Sequence, residues 1–159
     1  MTTSLYRSLP AARRVALLTR LITERKDTRA LFIQRMSKRG GFRAVTLMQW
    51  PAAKLAAEVV RMNAQTAEDE LDLLQALYVD VEPQIQADFL AAAGVKAEGA
   101  VIPEGTEPPY ATAEAVAKAA AVIREKHGAD AEHYLRVIAR YNPSARPGVE
   151  EIVAGLPAA

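Results

Sequence analysis

The chain has 159 residues, with 20 Lys and Arg against 19 Asp and Glu, a net charge of +1, 50% hydrophobic residues and no cysteine. That length suits a single domain, and the missing cysteine excludes a disulfide framework, a thiolate nucleophile and a Cys-ligated zinc site. Arg20, Lys54, Arg61 and Lys118 interrupt every apolar stretch before it reaches the ~20 residues of a bilayer crossing, and Met1-Thr2-Thr3-Ser4 is no secretory n-region, so the expected location is cytoplasmic, away from the membrane.

Alanine occurs 32 times and the apolar residues recur every three or four positions, which predicts helices nearly throughout. The first is expected from Pro10 to Arg25, with Pro10 at its first position and Ala11, Val15, Leu18, Leu21 and Ile22 on one face. A second, Thr28 to Arg39, follows a candidate Asp27 cap, gathers Phe32, Ile33 and Met36, and stops at Gly40-Gly41. Residues 42–50 fit either one helical turn or an extended segment. Pro51 opens a third helix over 51–63, with Leu55, Ala56, Val59 and Val60 inward. Thr66 with Asp69 and Glu70 reads as a cap for a helix over 67–79, whose stripe is Leu71, Leu74, Leu77 and Val81. Pro83 starts another or bends this one, and Ile85, Phe89 and Leu90 carry the apolar face on to Gly94.

Between Val95 and Tyr110 the periodicity stops, and Pro103, Gly105, Pro108 and Pro109 mark a loop. Thr112 caps a helix over 113–127 that closes at Gly128. Asp130 is the expected cap of the next, over 131–141, which ends at Asn142-Pro143, and a short helix follows over 148–154. The fold expected is one all-α, bundle-like domain of six to eight helices. Within it, 1–94 forms a basic-to-acidic helical core and 111–159 a C-terminal helical hairpin. The 95–110 loop is the place where two packed subdomains would separate. Arginine outnumbers lysine 14 to 6, which with the alanine excess points to a GC-rich bacterial genome.

The small net charge conceals a polarity along the chain. Residues 1–66 hold 13 basic residues against Glu24, Asp27 and Glu58, a net of +10, while residues 67–159 hold seven basic against 16 acidic, a net of −9. Either the basic half meets an anionic partner, or one half docks on the other, within the chain or between copies. For an anion the candidates are Arg25, Arg29, Arg35, Lys38, Arg39 and Arg43, dominated by arginine, whose planar fork suits phosphate. The 38–43 turn is the sharpest piece: Gly40 and Gly41 would let backbone amides approach an anion, and Phe42 is a candidate base-stacker. Lys38 and Arg39 would equally compensate the end of their own helix.

Other chemistry is thinly represented. The helices at 67–79 and 83–93 have helix-turn-helix proportions, but Asp72, Asp80, Glu82 and Asp88 would repel DNA. Glu68, Asp69, Glu70 and Asp72 complement a helix start rather than bind a divalent cation. Asp130 and His133 have a metal-ligand spacing, yet Asp130 is needed as a cap; no metal and no cofactor is implied. Neither a nucleophile motif, a Walker loop nor a dinucleotide fingerprint is present, so a non-enzymatic role is favoured. Tyr141 and Asn142 are the candidate polar pair for a pocket between helices. The leading expectation is a helical interaction protein, self-associating, whose basic N-terminal half docks an acidic surface of a protein partner or of itself. The alternative is nucleic-acid or other polyanion binding through the basic helices and the 38–43 turn.

Overall fold

The computed structural model describes residues 2–158, and every extended element of their architecture is helical. Ten α-helices are present among these residues rather than six to eight, because one forms at Leu5–Ser8, where none was expected, and another at Ala44–Met48 in the ambiguous 42–50 segment. The chain forms two compact units, 1–73 and 74–159. The division therefore falls inside the predicted 67–79 helix and not in the 95–110 loop.

The first unit holds α1 (Leu5–Ser8), α2 (Ala11–Glu24), α3 (Lys26–Gly40), α4 (Ala44–Met48) and α5 (Ala52–Arg61). Four-residue α1 is too short to leave a periodic signal. Pro10 precedes α2 as its cap rather than opening it, and Asp27 lies in the first turn of α3, which Arg25 caps. Gly41 ends α3 in the left-handed conformation (φ 69°), which glycine adopts without the Cβ clash of other residues. The ambiguous 42–50 segment is helical at Ala44–Met48. α2 packs most extensively on α5. Leu17, Leu18, Leu21 and Ile22 of α2, Phe32 and Met36 of α3, and Leu55, Ala56 and Val59 of α5 form its buried centre.

Thr66 and Asp69 make a reciprocal capping box around a single 3₁₀ turn, Ala67–Asp69, which leads into α6 (Glu70–Ala76). The predicted stripe is displaced here. Leu71 is 47% exposed, and the inward positions are Glu70, Leu73, Leu74 and Leu77. Glu70 occupies a core-facing position because its carboxylate serves the start of α1, accepting from the Leu5 N–H (3.2 Å), the Tyr6 N–H (3.4 Å) and the Ser4 hydroxyl. The run then loosens into a π turn, Leu77–Val81, and that wider turn leaves Val81 only half-buried.

Beyond this, the second unit contains α7 (Gln84–Ala92), α8 (Ala113–His127), α9 (Ala129–Tyr141) and α10 (Val149–Ala154). α7 packs on α8, α8 on α9, and α10 on both α8 and α9. Thr112 caps α8 through the Ala115 N–H (3.2 Å), as its sequence position suggests. Gly128 (φ 58°), not Asp130, is the cap of α9, since the helix starts two residues earlier than expected. The 95–110 segment is pinned by Glu98 and Val101, which exchange two backbone hydrogen bonds around Gly99. Among the described residues no helix is long and apolar enough to cross a membrane.

Candidate functional site

Helix α3 carries most of the basic residues singled out above, and its arginines are largely spent on neighbouring helix ends. Arg29 donates to the carbonyls of Met48 (3.0 Å) and Trp50 (2.7 Å), at the C-terminal end of α4. Arg39 donates to the carbonyl of Asn63 (3.0 Å), just beyond α5. Both meet the partial negative charge of carbonyls that have no further turn to bond them. Arg35 forms a bidentate pair with Asp69 at 2.5 and 3.1 Å. Burial pushes the Asp69 carboxyl up, but the bonds from Arg35 and Thr66 outweigh it and hold the pKa below the ordinary value.

Phe42 is also committed. Its ring lies edge-on to Trp50 (5.4 Å, 74°), Lys54 Nζ sits 4.2 Å from the Trp50 ring centre, and the Ser37 hydroxyl donates to the Phe42 carbonyl at 2.9 Å. A Cβ at Gly40 would stand 2.7 Å from the Phe42 ring, so glycine here makes room for a side chain rather than a phosphate. Arg25 stands at the exposed corner between α2 and α3. Lys26, Lys38 and Arg43 are exposed and enter no ion pair among the described residues.

Where Arg29 ties α3 to the end of α4, the two helices enclose a groove. A cavity of about 480 Å³ runs between α3 and α4, lined by Ala30, Ile33, Ala44 and Met48, with Lys26, Arg29 and Lys38 around it. Beside it α4 leaves two large apolar side chains in water, Val45 at 68% and Met48 at 64% exposure. An apolar floor with a basic rim suits an occupant that is apolar on one side and acidic on the other. Sequence reasoning found the cations but missed the groove, because α4 is too short to show a periodic face.

In the second unit, Tyr141 and Asn142 are both exposed at the end of α9 and do not line an interior pocket. The buried polar groups lie elsewhere. The Tyr78 hydroxyl and His133 Nδ1 are 2.6 Å apart, so His133 is committed to a core hydrogen bond. Asp88 takes bonds from His127 (2.8 Å), Lys126 (2.8 Å) and Gln84 (2.7 Å). Its partial burial raises the carboxyl pKa, yet those three donors bring it down to about 2. Arg146 is only 3% exposed, a buried cation that the sequence does not flag. Among the described residues no three His, Cys, Asp or Glu side chains are grouped so as to hold a metal ion. No family model, curated protein or solved structure matches the chain.

Proposed function

We propose that this chain is a non-enzymatic helical interaction protein, and that its α3–α4 groove takes an acidic amphipathic segment of another copy. The observation that carries the reading is the groove itself, with its apolar floor, its rim of Lys26, Arg29 and Lys38, and the exposed Val45 and Met48 alongside. The chain also supplies a matching feature. Leu71 protrudes from α6 next to exposed Asp72, and exposed Glu68 lies three positions before it, in the 3₁₀ turn. Groove and Leu71 ridge are different surfaces, so the association is head-to-tail and extends beyond a dimer unless it closes into a ring.

The polyanion alternative draws less support. Arg29 and Arg39 bond to helix-end carbonyls, Arg35 to Asp69, and Phe42 to Trp50, which leaves few free groups for a phosphate backbone. Light scattering across a concentration series tests the reading. The wild-type chain is expected to gain mass with concentration, and the gain should shrink from 0.05 to 0.5 M salt, taken as about a tenfold rise in ionic strength. Met48→Asp should remove it at all salt concentrations without unfolding the helices. A Met48→Asp protein that still associates like wild type overturns the groove. Salt-dependent capture of duplex DNA by a chain that stays monomeric would favour the alternative.

A further inference from the structure

The second unit contains a cation with no counter-charge among the described residues. Asn142 and Pro143 end α9, a 3₁₀ turn spans Pro143–Ala145, and the chain turns again at Gly148 (φ 81°) to start α10. That double bend folds Arg146 inward. Its guanidinium lies 5.8 Å from the Phe89 ring centre and 5.3 Å from that of Tyr110. Nη1 donates to the adjacent Ala145 carbonyl at 2.9 Å, but Nε–H is fully buried with no acceptor, and no carboxylate pairs with Arg146 among the described residues. Aromatic faces offset part of the desolvation of a guanidinium, but they accept no directed hydrogen bond from Nε–H.

A second buried donor stands beside it. The Tyr134 hydroxyl is buried and makes no hydrogen bond of good geometry, its ring fixed edge-on by Tyr78 (5.1 Å) and Phe89 (5.7 Å). Burial raises its pKa strongly, so it stays a protonated donor at neutral pH, and Arg146 opposes that rise both by its charge and by a side-chain hydrogen-bonding contact with the hydroxyl. Apart from that contact with each other, two buried donors without a well-formed acceptor and one unneutralised positive charge therefore face the same apolar surroundings. Native interiors rarely leave such groups unpaired.

We propose that Arg146 and Tyr134 form a binding site for a carboxylate group. One oxygen would accept from Arg146 Nε–H and the other from the Tyr134 hydroxyl, with the Phe89 and Tyr110 rings as walls. A single negative charge balances a single guanidinium, whereas a phosphate dianion would bring an unpaired charge into an apolar site. Entry is from the Tyr110 side, since residues 104–109 are exposed and Tyr110 is half-buried, while Phe89 and Tyr134 are sealed within the core. The ligand class is thus a small monocarboxylate, or a larger molecule presenting one carboxylate on an apolar stem. This site is independent of the α3–α4 groove.

The probe is acetate, titrated into the full chain at constant ionic strength with chloride as the balancing anion. The expected result is a saturable rise in Tm together with a saturable shift of the Arg146 Nε–H resonance. Sulfate at the same ionic strength should do neither. Tyr134→Phe keeps the ring and its packing, and is expected to weaken acetate binding about tenfold, the loss of one hydrogen bond to a charged group. Arg146→Met should abolish it. If Arg146→Met fails to fold, the Tyr134→Phe affinity and the wild-type resonance decide the matter. An Nε–H signal indifferent to acetate, an equal response to chloride or sulfate, or unchanged affinity in Tyr134→Phe would each overturn the proposal.

Discussion

Arg35 shows how one side chain joins three pieces of local structure. From the middle of α3 it grips both oxygens of Asp69, while Asp69 Oδ2 accepts the Thr66 N–H at 2.6 Å and the Thr66 hydroxyl at 3.1 Å. The guanidinium thereby holds the carboxylate in the orientation that caps the 3₁₀ turn ahead of α6. Both partners are largely shielded, at 22% and 16% side-chain exposure, so solvent screens this pair less than the Arg20–Glu24 pair, whose side chains are about half exposed. Arg35→Ala is expected to lower stability by about 1–3 kcal/mol, the range for a hydrogen-bonded charge whose partner is left behind. Urea unfolding measures it, and a double-mutant cycle with Thr66→Ala should show coupling, because both residues act on one carboxylate. Strict additivity in that cycle would show that Arg35 acts apart from the cap. The sequence displays the Thr66–Asp69 spacing plainly. It does not display Arg35 as the third member, because 34 positions separate the two.

At the scale of elements, the long helices were legible and the short ones were not. α2, α5 and α9 have enough turns to repeat an apolar face, and their inward residues follow that repeat, whereas in alanine-rich α8 the extent is legible but the inward face, Val116, Ala119, Ala120 and Ile123, is not. α1 and α4 have four and five residues, below any usable period, and the π turn at 77–81 changes the period itself. Basic density along α3 was legible as charge but not as purpose, since the acceptors of Arg29 and Arg39 are backbone carbonyls, which every residue carries. Asp88 is a comparable junction in the second unit, tying α7 to the last turn of α8 through Lys126 and His127. Its folded pKa of about 2 lies below the ordinary 3.8, so its stabilising effect is complete above about pH 4 and is lost as pH falls through 2. In urea denaturation the wild-type midpoint should therefore fall more steeply between pH 4 and 2 than that of Asp88→Asn. The two should differ most near neutrality and converge in acid. Parallel profiles would mean that the carboxylate contributes nothing in the folded state.

For the whole molecule, the folded boundary redraws the charge polarity. Residues 1–73 hold 13 basic and seven acidic residues, a net of +6, and residues 74–159 hold seven basic and 12 acidic, a net of −5. The sharper division at residue 66 assigned Glu68, Asp69, Glu70 and Asp72 to the acidic half. In the structure Asp69 and Glu70 are built into the basic unit, on Arg35 and on the start of α1. Glu68 and Asp72 remain exposed beside Leu71, as Lys26 and Lys38 remain exposed beside the groove. These four are charges that the proposed head-to-tail contact between copies would use. They support a charge-swap prediction that tests the identity of the partner and not only the presence of a sticky groove. Lys26→Glu with Lys38→Glu should abolish self-association, and Glu68→Lys with Asp72→Lys should do the same in a separate protein. Mixed in equal amounts, the two variants should associate again, because the acidic groove of one now faces the basic ridge of the other. Each variant retains one native surface that its own copies cannot use. The native groove of the second and the native ridge of the first are also complementary, so the mixture should form chains with alternating contacts of both kinds. Sedimentation of each variant alone and of the mixture reads the result. A mixture as monomeric as its components would leave the groove to a different protein and remove the second copy as its occupant.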